Sequence, residues 1–152
     1  MMRTFLSAAL AVAFVAGVSA QDARNFVGTW RTDMSRSKTG SGTVGPDQTI
    51  TVEGSKMTVT QTTAGNSSSR VYTLDGTPSK TGETVVTSKW EGNVLVTIFS
   101  SPGGERIEKR SMEPDGAMKV ELTYKWGKEA MEKRPAGAAA TENYYRVYTK
   151  IK

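Results

Sequence analysis

The nine residues Met118-Lys119-Val120-Glu121-Leu122-Thr123-Tyr124-Lys125-Trp126 alternate without a break between apolar and polar side chains. Successive side chains on a β-strand point to opposite faces, so this period of two predicts a strand with one apolar face and one wetted face. Working outward, further strands are expected at 27–33, 48–53, 56–63, 69–74, 83–90, 93–100, 104–112 and 143–150. The run Asn93–Ser100 (NVLVTIFS) is apolar on both faces and reads as a strand covered on both sides. Between the runs stand Glu53-Gly54-Ser55, Asp75-Gly76, Glu91-Gly92-Asn93, Pro102-Gly103-Gly104 and Pro114-Asp115-Gly116, all with hairpin-turn chemistry. From residue 21 on there are 19 Thr and 11 Val, which suits pleated, half-buried surface. The expected fold class is all-β, a single antiparallel up-and-down β-barrel of about eight to ten strands, because closure removes exposed sheet edges.

Two longer connections interrupt this meander. Residues 34–47 are rich in Gly and Ser and read as an irregular loop over one end. Residues 127–141 predict a short helical turn before Pro135, followed by a loop of small residues.

The first 20 residues, MMRTFLSAALAVAFVAGVSA, carry Arg3, an apolar stretch from Phe5 to Val15, and small residues at Val18-Ser19-Ala20. That is the pattern of a cleaved signal peptide. The apolar run falls short of the roughly 20 residues that a membrane anchor needs. The expectation is a signal peptide at 1–20 and one domain at 21–152, periplasmic or secreted, with no membrane span in the mature form.

Composition excludes several kinds of chemistry. The 152 residues include neither Cys nor His. A disulfide framework, a thiolate zinc site, a Cys nucleophile and a Ser-His-Asp triad are therefore all ruled out. The net charge of +5 is scattered among alternating signs and does not call for nucleic acid. No carboxylate pair has a spacing that suggests acid and base, and there is no phosphate-binding Gly loop. Nothing resembles a calcium loop. No catalytic activity, metal or cofactor is expected.

Phe26-Val27-Gly28-Thr29-Trp30, placed on the first strand, resembles the opening of the calycin barrels: lipocalins, fatty-acid-binding proteins and avidins. Thr32-Asp33-Met34-Ser35-Arg36-Ser37-Lys38 resembles the segment after that Trp in secreted bacterial proteins described as lipocalin-like. At the other end, Arg146-Val147-Tyr148 is similar to the Arg-x-Tyr pair with which many fatty-acid-binding proteins hold a ligand carboxylate. The chain departs from these families in its first connection, which is too short and Gly-rich for a helical pair, and in having no disulfide. The resemblance implies a lipocalin-like barrel that binds a small hydrophobic, carboxylate-bearing molecule. It implies structural roles for Gly28 and Trp30, with Trp30 plugging one end against apolar neighbours or under an Arg guanidinium.

Arg146 and Tyr148 lie two apart and so share a strand face. Facing the lumen, they offer a guanidinium fork and a hydroxyl to a carboxylate. The alternatives are Arg146 capping Trp30, or a face that points outward. Arg106, Glu108 and Arg110 share another face, with Met112 continuing it. Their register favours an exposed cross-strand salt-bridge ladder; an inward orientation would instead make the lumen polar. Tyr72, Trp90, Phe99, Tyr124 and Trp126 are candidates for a pocket wall or for plain core packing. The ligand-binding candidates are thus Arg146, Tyr148, Arg106, Tyr72, Trp90 and Tyr124. Two other functions fit the same sequence: an exported protein-interaction module, protease-inhibitor-like, acting through the loops at 34–47 and 127–141, or a filled structural barrel without a ligand.

Overall fold

The computed structural model describes residues 23–40 and 45–151. The expected signal peptide, and residues 41–44 of the first long connection, lie outside the described residues. Ten described strands follow in order: β1 (Gly28–Lys38), β2 (Asp47–Glu53), β3 (Lys56–Thr63), β4 (Asn66–Thr73), β5 (Ser79–Thr81), β6 (Thr84–Glu91), β7 (Val94–Ser101), β8 (Gly104–Met112), β9 (Met118–Trp126) and β10 (Thr141–Ile151), with a short helix α1 (Lys128–Glu132) between the last two. They form one antiparallel sheet in the order β4-β3-β2-β1-β10-β9-β8-β7-β6-β5. Pairing of β1 with β10 joins the two ends of the chain, and β4 lies against β6 without a ladder. The result is a nearly closed barrel of the expected class.

One end of the barrel is closed by apolar packing. Met118, Val120 and Leu122 of β9 turn inward as the alternation predicts, beside Ile50, Met57, Leu74 and Leu95. Phe26 enters from the chain before β1 and stacks parallel on Trp90 at 5.9 Å between ring centroids. Trp30 is fully buried and donates its indole N–H to the Phe26 carbonyl at 2.7 Å, so it plugs this end. The cation above it is Lys150, with Nζ 5.4 Å from the ring centroid, rather than an arginine. Gly28 admits that lysine. It has φ +137°, and a Cβ there would sit 2.6 Å from Lys150 Cε.

Three expectations are corrected. Residues 34–38 continue β1 instead of forming a loop. The β1–β10 register jumps between Asp33↔Val147 and Lys38↔Tyr145, and side-chain oxygens carry the backbone across the jump. Ser37 Oγ accepts the Val147 N–H at 2.9 Å and donates to the Asp33 carbonyl at 2.6 Å, while the Asp33 carboxylate accepts the Ser35 N–H and hydroxyl. Second, the three polar residues of β5 form a strand that carries no apolar period. Third, among the described residues β7 has no second layer over its outer face. Val96 faces outward yet is only 5% exposed, and the register places it between Lys89 and Lys109, whose aliphatic stems suit that role.

Candidate functional site

Going up from the closed end, the interior turns from apolar to charged. Pairing sets the residues in tiers. Leu95, Arg110, Val120 and Arg146 stand opposite one another across β7, β8, β9 and β10. Phe99, Arg106, Tyr124 and Glu142 form a second such tier nearer the open end. Arg106, Glu108 and Arg110 therefore point into the barrel, and the exposed ladder expected for them is corrected. On β8 the opposite face carries Glu105, Ile107 and Lys109, so both faces are mixed and alternation alone could not choose between them.

Arg110 is 3% exposed and forms no ion pair among the described residues. Its Nη1 donates to Gln48 Oε1 at 3.0 Å and approaches Met118 Sδ at 3.1 Å. Gln48 Nε2 in turn donates to the Tyr148 hydroxyl at 3.1 Å. A neutral amide thus links the buried guanidinium to the buried phenol. Burial raises the Tyr148 pKa, and the positive charges of Arg146 and Arg110 partly offset that rise. On the other side, Glu108 is also buried; it pairs with Arg106 Nη2 at 3.2 Å and accepts the Tyr72 hydroxyl at 3.3 Å. Burial first, and the Glu108 charge second, push the Tyr72 pKa up to about 12.

Two cavities open above these groups. One of about 430 Å³ is lined by Leu122, Tyr124, Trp126, Tyr144 and Arg146, with Thr39, Gly40 and Glu142 at its rim. The other, about 360 Å³, has Arg70, Phe99, Arg106, Tyr124 and Trp126 in its wall. Tyr124 and Trp126 stack at 6.0 Å and line both cavities. Such volumes suit a small ligand. Gly40 and Gly45 stand close against residues of this first cavity: a Cβ on Gly40 would sit 2.5 Å from the Tyr144 ring, and one on Gly45 would sit 3.2 Å from Arg146 Cδ. The second long connection is pinned at the same rim. Arg134 lies 4.3 Å over the Trp126 ring and pairs with Glu142, which also accepts the Tyr144 hydroxyl at 3.0 Å.

The sequence-predicted residues are thus distributed unequally. Arg146, Arg106 and Tyr124 line the cavities. Tyr148 and Tyr72 lie beneath them, already hydrogen-bonded to Gln48 and Glu108. Trp90 stacks on Phe26 at the closed end, away from both cavities. Gln48, Arg70, Arg110 and Glu108 belong to the site but were absent from the sequence-based set. Gln48 left one readable signal: it is polar, yet in phase with Ile50 and Val52 on an otherwise apolar face.

No family model and no curated protein sequence matches the chain. Solved structures do. A fatty acid transporter designated REP1-NXSQ superposes with a TM-score of 0.60 at 16% identity, over 85% of this chain and 98% of that one. A Schistosoma mansoni fatty acid binding protein, solved with arachidonic acid, gives 0.61 at 17% identity, over 86% and 99%. Fatty-acid-binding protein 1 of Echinococcus granulosus gives 0.63 at 14% identity, over 85% and 99%. The chain shares the barrel fold of these proteins.

Proposed function

We propose that this barrel is a non-catalytic carrier of a small hydrophobic molecule bearing a carboxylate, whose head lies against Arg146. One observation carries this most directly. Arg146 stands in the wall of the 430 Å³ cavity with no carboxylate partner among the described residues, and its buried Nε has no hydrogen-bond acceptor. A half-buried guanidinium without a counter-charge carries a desolvation cost, and a ligand carboxylate supplies the missing partner. Leu122, Tyr124, Trp126 and Tyr144 offer the apolar walls for the remainder. The arachidonic acid held by the Schistosoma protein, and the fatty acid named for the transporter, support the ligand class.

Substituting Arg146→Ala tests the assignment. A long-chain acid is expected to bind roughly ten- to a hundredfold more weakly, as fits the loss of a charged hydrogen bond, while its methyl ester changes little. Equal losses for the two ligands would leave Arg146 a structural role only. We further propose export, on the strength of Arg3, the apolar Phe5–Val15 and Val18-Ser19-Ala20. N-terminal sequencing of the protein recovered from its cells is expected to begin at Gln21.

A further inference from the structure

We infer that the ligand carries two anionic groups, one met by Arg146 in the deep tier and the other by Arg70 and Arg106 at the mouth. This deepens the carrier reading and rests on it.

The charges around the cavities leave three guanidiniums unmatched. Glu105 is taken by Lys125, Glu142 by Arg134 and Glu108 by Arg106. Arg70, Arg110 and Arg146 have no carboxylate partner among the described residues. A monocarboxylate on Arg146 would leave the mouth positive. There Arg70 and Arg106 flank a single ring, their guanidinium carbons 4.9 Å and 4.0 Å from the centroid of Phe99. Both line the smaller cavity. Arg106 spends one terminal nitrogen on Glu108, but its Nε is buried and has no acceptor. An anion at this mouth would be met by Arg70, which has no carboxylate partner among the described residues, and by the free Nε of Arg106.

Register sets the distance. The deep tier contains Arg110 and Arg146, and the mouth tier contains Arg106. Four residues of β8 separate the tiers, about 13 Å at the usual rise of a strand. The tier between them holds Thr97, Glu108, Leu122 and Tyr144; Glu108 is already engaged by Arg106 and Tyr72, so Leu122 and the Tyr144 ring offer the apolar wall, with Tyr124 at the level of Arg106. The ligand this describes is an α,ω-dicarboxylate, or another amphiphile whose two acidic ends are held apart by an apolar span of that length.

Titration calorimetry with dodecanedioic acid, its monomethyl ester and dodecanoic acid tests this on the native protein and on Arg70→Ala. Arg70 is exposed, so its removal leaves the fold intact. The diacid is expected to bind about tenfold tighter than either monoacid, the equivalent of one added charged hydrogen bond. In Arg70→Ala that advantage should fall to near unity. Equal native affinities for diacid and monoacids, or an advantage that survives Arg70→Ala, overturns the second site and leaves the carrier reading standing. Failure of all three to bind overturns both.

Discussion

Gln48 carries a task out of proportion to its size. Its amide accepts from Arg110 and donates to Tyr148, so one neutral side chain satisfies a buried cation and a buried phenol at once. Gln48→Leu keeps the volume but leaves both groups unpaired, and a loss of about 3 kcal/mol is expected in urea unfolding. Adding Arg110→Met removes the stranded charge, and the double variant should recover most of that loss. No recovery would mean that Arg110 does not depend on Gln48. Tyr72 gives a second test at this scale. Its folded pKa of about 12 lies above the ordinary value of 10.0, so its neutral form is favoured by folding. That contribution is complete below pH 10 and is lost as pH rises through 12; the two-unit difference corresponds to about 3 kcal/mol. Tyr72→Phe should therefore unfold with a shallower alkaline slope than the native protein, and an unchanged slope would place the late titration elsewhere.

At the level of strands and turns, glycine positions separate steric need from mere preference. Gly104 opens β8 at φ +135°, where a Cβ would lie 2.2 Å from the Lys125 carbonyl oxygen and 2.8 Å from the Gly127 nitrogen. Gly54 also has positive φ, at +57°, but has open space around it. Gly104→Ala should cost about 3 kcal/mol and disturb Trp126, its cross-strand partner, whereas Gly54→Ala should cost about 1 kcal/mol. Thermal melts with tryptophan emission distinguish the two, and equal shifts would contradict the crowding at the rim. The strands themselves were legible wherever one face is apolar and the other wet, as on β9. Legibility ended where the barrel interior is polar. On β8 the inward Arg106, Glu108 and Arg110 face the cavity while Ile107 points out, so hydrophobic period and true orientation conflict. It ended also at Asp33–Ser37, where hydroxyls and a carboxylate replace ladder bonds, and at β5, whose three residues are too few to show a period. Arg146 and Tyr148 were found through a family resemblance, whereas Gln48 and Arg70 belong to the site because of what the barrel closure brings beside them.

For the whole molecule, the absence of His and Cys shapes the response to pH, since no side chain has an ordinary pKa between about 5 and 8. On the acid side, Asp33, Asp75, Asp115 and Glu142 are held below their ordinary values of 3.8 and 4.5, chiefly by hydrogen bonds from Ser35, Thr77, Ala117 and Tyr144 respectively. A depressed carboxylate stabilises the fold above its ordinary pKa and loses that contribution as pH falls through the folded value. On the alkaline side, Tyr72 and Tyr148 are raised and act in the opposite sense above pH 10. Stability should thus form a plateau from about pH 5 to about pH 9 with a fall at each end, and urea midpoints across that range check it. The groups proposed to hold the ligand share this indifference. Guanidiniums keep their charge throughout, and a fatty carboxylate stays ionised. Affinity for the acid should accordingly be level between pH 6 and pH 9 within about twofold. Mild acidification is then not the means of release. The Arg134 pin on Trp126 and Glu142 holds the second connection beside the cavities, and release is expected to depend on that contact. Arg134→Ala should raise the ligand off-rate several-fold in stopped-flow displacement and quicken proteolytic cleavage within 127–140. A variant that releases ligand at the native rate would show that this pin does not limit exchange.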